Sequence, residues 1–244
     1  MAAHHPMSRS FEELDYRETP MGPLTLQRRQ IAALDDLEVF EVKLGEEYLM
    51  SSLFHDVEVA LADLALAAAE GDALDVAVGG LGLGYTARAA LRCPRLRSLV
   101  VIDALEAVIE WHQTGRVPLG PELTADARCR FLLADFFARV SADGLDPENP
   151  SQRFHAILLD IDHTPTHLLH PSHAAFYGPA GLARLASHLH PRGIFAMWSD
   201  GGPDENFLNA LRTVFPSAEA RVVEFDNPLQ DNRSASTVYV ARMA

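Results

Sequence analysis

The stretch Asp75-Val76-Ala77-Val78-Gly79-Gly80-Leu81-Gly82-Leu83-Gly84, followed directly by Tyr85-Thr86-Ala87-Arg88-Ala89-Ala90-Leu91, decides the fold. A short apolar run breaks into four glycines within six positions and then resumes with apolar residues at helical spacing. A strand that turns through glycines into a helix is where a parallel sheet receives a nucleotide-like ligand. Glycine lets the backbone approach that ligand and takes torsions closed to other residues. The bare alternative is a tight strand-to-helix turn with no ligand. Gly80, Gly82 and Gly84 are the first candidate binding positions.

Downstream of this turn, short apolar segments at 99–102, 130–133, 156–159 and 194–198 read as strands. They alternate with amphipathic segments at 85–91, 105–113, 136–140, 173–189 and 205–215, which read as helices. Such alternation means parallel pairing through right-handed crossovers. Segments 221–225 and 235–240 follow one another without a helix and read as an antiparallel pair at the sheet edge. Residues 118–124 and 144–152 read as loops, and there is no internal repeat. Upstream, alternation at 23–28 and 37–44 predicts two strands of a small β-lobe, and helical spacing from Leu53 to Ala69 predicts a helix leading into the main domain. The expected division is a flexible N-terminus with a small β-lobe at 1–52 and a Rossmann-like catalytic domain at 53–244.

Asp103 ends the strand after the glycine turn, where its carboxylate can accept hydrogen bonds from both ribose hydroxyls; the alternative is a helix N-cap. Asp135 holds the corresponding place one strand further on and can accept from an adenine amino group, or again cap a helix. The dinucleotide fingerprint wants glycine at the sixth position counted from Gly80, which here is Tyr85. The GxGxG spacing and the late strand pair instead favour a Rossmann-like fold, with a mostly parallel seven-stranded sheet, that binds S-adenosylmethionine.

A chain of 244 residues with 48% hydrophobic content can bury one sizeable core. A formal net charge of −14 repels a phosphate backbone, so nucleic acid is not an expected partner, whereas small cations, a sulfonium included, are drawn to such a surface. No apolar run approaches the roughly 20 residues that cross a bilayer, and residues 1–10 hold no apolar leader, so a cytoplasmic protein without a membrane partner is expected. Cys93 and Cys129 read as packing residues. His163, His167, His170 and His173 have spacing that can gather imidazoles. Pro165 and Pro171 interrupt any helix there, and no cysteine or placed carboxylate completes a set, so no metal is expected. These histidines line an acceptor pocket or face water; Phe176, Tyr177 and Trp198 wall that pocket or fill the core.

The segments DVAVGGLGLG, VVIDALEAVIEW, FLLADFF, FHAILLDID and LHPRGIFAMWSD resemble the spermidine synthase family, a branch of the class I methyltransferase fold with an N-terminal β-lobe. They look like its glycine motif, ribose acid, adenine acid, catalytic-loop strand and penultimate core strand, and the resemblance runs from about Gly22 to the C-terminus. It implies a transferase that uses S-adenosylmethionine or its decarboxylated form, a small-molecule acceptor and a homodimer.

Three positions depart from the family pattern. Leu83 stands where the family's glycine motif has an acid, Asp160-Ile161-Asp162-His163 stands for Asp-x-x-Asp, and Phe54, Asp56 and Glu58 only approximate a Tyr-x-Glu motif. Asp160, Asp162 and His163, at the carboxyl end of a central strand, are the candidate catalytic residues, and either Asp162 or His163 is the base. Loss of the acidic amine anchors favours methyl transfer from intact S-adenosylmethionine, its carboxylate resting on N–H groups of the glycine turn. Aminopropyl transfer from the decarboxylated donor is the alternative, and a catalytically silent nucleoside-binding protein is a third reading.

Overall fold

The computed structural model describes residues 11–230 and 232–244; residues 1–10, read above as a flexible terminus, lie outside them. The chain opens with four antiparallel strands, β1 (Phe11–Thr19), β2 (Gly22–Ile31), β3 (Leu37–Leu44) and β4 (Glu47–Ser51), in that spatial order. Sequence reading found β2 and β3 and missed the other two. β1 is the edge strand FEELDYRET, whose charges blur its alternation, and β4 is only five residues long. Leu24, Leu26 and Val42 are buried from this sheet into the same apolar cluster as the main domain.

The main domain follows as α1 (Asp56–Ala68), β5 (Leu74–Gly79), α2 (Tyr85–Leu91), β6 (Leu96–Asp103), α3 (Glu106–Gln113), α4 (Gly120–Ala125) and β7 (Cys129–Leu133). It continues through α5 (Phe136–Val140), β8 (Phe154–Leu159), α6 (Pro179–Ala186), β9 (Leu189–Asp200), α7 (Glu205–Val214), β10 (Ser217–Asn227) and β11 (Asn232–Arg242). The seven strands lie in the order β10-β11-β9-β8-β5-β6-β7, parallel except where β11 pairs with its two neighbours. β5 lies between β6 and β8, with Gly79 in register with Ile102 on one side and Leu159 on the other. The strand order reverses there, and a crevice opens at the carboxyl ends of such strands.

Two readings of local structure are corrected. The loop expected at 118–124 carries α4, with Pro121 in its first turn, where the missing N–H costs nothing. The single helix expected at 173–189 is a 3-10 turn, Pro171–Phe176, then α6, with Leu189 already in β9. The break comes at Gly178, which is extended, and Pro179, which can only open a helix. Cys93 and Cys129 are free and half-buried, and burial pushes the Cys129 thiol up to about 12, as suits a packing residue. Among the described residues no helix is long and apolar enough to cross a membrane.

Candidate functional site

The glycine turn is held from four sides. Gly80 has φ +96°, and a Cβ there would sit 2.0 Å from the carbonyl oxygen of Asp160, so the backbones of β5 and β8 can come this close only across glycine. Asp103, at the end of β6, accepts from the Leu81 N–H through Oδ2 and from the Leu105 N–H through Oδ1, each at 2.8 Å. Burial raises its pKa against those bonds and one from the Gly82 N–H. Its carboxylate also borders the crevice, where a ribose hydroxyl can share it. His112 Nε2 lies 3.0 Å from the Gly82 carbonyl oxygen, and burial lowers the imidazole to about 4, so it is a neutral donor. Met50, from β4, places its sulfur 2.9 Å from the Leu83 N–H.

These contacts occupy the turn's donors. The Gly80 N–H donates to Ile102 O at 2.9 Å and the Gly84 N–H to Leu81 O at 2.8 Å, while those of Leu81, Gly82 and Leu83 face Asp103 and Met50. The premise that the turn offers free N–H groups to a donor carboxylate is therefore corrected. Gly84 is also set apart from Gly80 and Gly82. It opens α2, a Cβ on it would strike Leu123 and His112 at 2.6 and 2.9 Å, and it does not reach the crevice. Its role is close helix packing.

A cavity of about 400 Å³ lies over the turn, and Gly80, Gly82, Asp103, Asp135, Asp160 and His163 all border it. Asp135 is the N-cap of α5, accepting from the Phe137 and Ala138 N–H groups through Oδ1 at 2.8 and 3.2 Å. The capping alternative thus describes half of its carboxylate, and Oδ2 is left over.

Two carboxylates share the inner wall. Asp160, after β8, accepts from the Thr86 hydroxyl at 2.7 Å, and burial raises its pKa to about 6. Glu58, on α1, is raised to about 8 by burial and by the nearby Asp160 charge. Leu83, by contrast, is 1% exposed in the core, so an acid at that position has no room to ionise. Of the approximate motif Phe54, Asp56 and Glu58, only Glu58 borders the cavity; Phe54 packs on Phe225 and Asp56 is exposed. Sequence reading weighed Glu58 only within that approximate match and missed Met50 and His112, whose partners lie on other elements.

Asp162 is turned away from the cavity and fully committed. It accepts from the Leu169 N–H at 2.7 Å and the Tyr177 hydroxyl at 2.7 Å, and His173 Nδ1 lies 2.9 and 3.0 Å from its two oxygens. The expectation that Asp162 itself faces a substrate is corrected on this geometry. His173 stacks on Phe137 at 3.9 Å between centroids and borders the cavity, and among the described residues its hydrogen bonds run through Nδ1 alone. Tyr177 and Phe176 are core residues. Trp198 and His170 do border the cavity, the latter bonding the Ser172 N–H at 3.2 Å.

No family model and no curated protein matches the sequence. Solved structures are similar in fold. One is a spermidine synthase from Thermotoga maritima, with a TM-score of 0.71 at 12% identity over 95% of this chain and 72% of that one. Another is a spermidine synthase in complex with the transition state analogue AdoDATO, at 0.70 and 14% over the same shares. Human methyltransferase-like protein 13 in complex with SAH matches at 0.51 and 17%, over 77% of this chain and 80% of that one. The first two shares take in the N-terminal sheet. The chain thus has the Rossmann-like methyltransferase fold with a separate four-stranded N-terminal sheet.

Proposed function

We propose that this chain is a transferase that moves an alkyl group from an adenosyl sulfonium donor to a small nucleophile, the group being aminopropyl and the donor decarboxylated S-adenosylmethionine. The observation that carries this reading is the Glu58–Asp160 pair beside a glycine turn whose N–H groups are already bonded. A donor tail ending in an ammonium suits two carboxylates; a tail ending in a carboxylate meets them without a free N–H to receive it. Asp103 takes the ribose hydroxyls and Asp135 Oδ2 the adenine amino group. Gly80 and Gly82 let the nucleoside lie against the backbone.

The acceptor approaches along the histidine-lined side and attacks carbon in line with sulfur. Its lone pair forms the new bond, the carbon–sulfur bond breaks, and sulfur leaves as a neutral thioether. The proton lost by the acceptor goes to His173 Nε2, with Asp162 orienting the ring through Nδ1. Asp162 is thus a positioning residue.

Methyl transfer from intact S-adenosylmethionine is the second reading, supported by the methyltransferase among the similar structures. Side-by-side calorimetric titration of the two nucleosides tests the choice: the decarboxylated form is expected to bind at least about tenfold more tightly, and a preference for intact S-adenosylmethionine overturns the aminopropyl assignment. Binding of both without turnover on any small amine returns the chain to a silent nucleoside binder. The homodimer implied by the resemblance belongs to the same proposal, and a monomer by sedimentation at working concentration removes it.

A further inference from the structure

Glu47 opens β4 of the N-terminal sheet, and His163 and His167 lie in the loop after β8. Their donor atoms meet around one point, all within 4.8 Å of one another. Glu47 Oε2 is 3.7 Å from His163 Nε2 and Glu47 Oε1 is 3.9 Å from His167 Nε2, and the two imidazole centroids are 4.8 Å apart. These separations are too long for hydrogen bonds. The three groups converge without satisfying each other, and His163 Nε2 is buried with no hydrogen-bond partner among the described residues.

We propose that Glu47, His163 and His167 bind a divalent ion of the zinc class. Two imidazoles and one carboxylate match the donor preference of zinc, cobalt(II) or nickel(II), not that of calcium or magnesium, which take oxygen. An ion about 2.0 to 2.2 Å from each donor asks neighbouring donors to stand roughly 3 to 3.5 Å apart, so the site closes by small rotations. The parts divide that labour. The His163 side chain is 17% exposed and its backbone oxygen is held by the Asp200 N–H at 2.7 Å, whereas the Glu47 and His167 side chains are 56% and 59% exposed and free to swing. Three protein donors leave coordination positions open, and His163 borders the cavity. The ion therefore joins the N-terminal sheet to the loop after β8 at the mouth of the proposed acceptor side. A second grouping, Asp75 with His155 and His190, differs in that Asp75 is already taken by Arg97 and Ser98.

The inference does not rest on the donor assignment, because nucleoside titration and metal titration read different groups. The test uses the full chain stripped with chelator, in a His4→Ala, His5→Ala background that removes a pair of adjacent imidazoles. Zinc is titrated against a chromophoric chelator and cobalt(II) by its visible absorption. One equivalent is expected to bind. Glu47→Gln and His167→Ala, both at half-exposed positions, are each expected to weaken binding at least about tenfold, while His190→Ala leaves it unchanged. Absence of stoichiometric binding, or affinity in Glu47→Gln and His167→Ala unchanged from that of the parent, overturns the proposal.

Discussion

Glu58 is the residue on which the chemical reading turns, and its charge is open to measurement. Glu58 and Asp160 bind their protons more tightly in the folded chain, at about 8 and about 6, than free carboxyls do at about 4. Stability that is fully present below the unfolded values is therefore lost as pH rises through the folded ones. Glu58→Gln should raise stability by about 2 kcal/mol at pH 9 and change little at pH 5, as urea unfolding at the two pH values will show. A cation entering the cavity favours the ionised pair, so donor affinity should rise between pH 6 and pH 8.5 with release of a proton. Calorimetry near pH 7 in buffers of different ionisation enthalpy reads that proton directly. Asp162 offers the opposite case. Asp162→Ala strands Leu169 N–H, the Tyr177 hydroxyl and His173 Nδ1 in the interior and should cost about 3 kcal/mol of unfolding free energy.

At the scale of the element, the glycine turn shows why one motif supports different inferences. Gly80 answers to the carbonyl of Asp160, Gly84 to Leu123 and His112, and Gly82 to the sulfur of Met50. Only Gly80 and Gly82 border the cavity. Gly80→Ala forces a Cβ into backbone at φ +96° and should destabilise the chain by about 3 kcal/mol or prevent its folding. Gly82→Ala meets the end of a flexible methionine instead and should fold, with donor affinity falling more than stability. Thermal unfolding together with nucleoside titration separates the two. The loop after β8 is organised in the same divided way, with Asp162 facing inward to Tyr177 and His173 while Asp160 and His163 face the cavity.

For the whole molecule, the N-terminal sheet completes the cavity wall by supplying Met50, Leu44 and Leu49. It is seated on α3, where Trp111 Nε1 donates to Asp15 Oδ2 at 2.7 Å and Arg116 lies 3.3 Å from Oδ1. Asp15→Asn weakens that seat and should lower stability by about 1 kcal/mol. A larger loss of donor affinity than of stability, measured on the same samples, would show that the seat also positions Met50 over the turn.

The fold was legible because it is written in local pattern. Strands alternating with helices, a glycine turn after the first core strand and two late strands with no helix between them allow few topologies, and Asp103 could be placed by its position at a strand end. Several details of the lobe and the loops were not legible. A charged edge strand such as β1 hides its period, and helical spacing runs on past the break at Gly178-Pro179. The sign of the cavity's charge, the commitment of Asp162 and the meeting of Glu47 with His163 and His167 were decided only in three dimensions. Each depends on side chains brought together from separate elements, and whether a carboxylate is free, buried or already bonded is a property of its neighbours in space, which no spacing along the chain records.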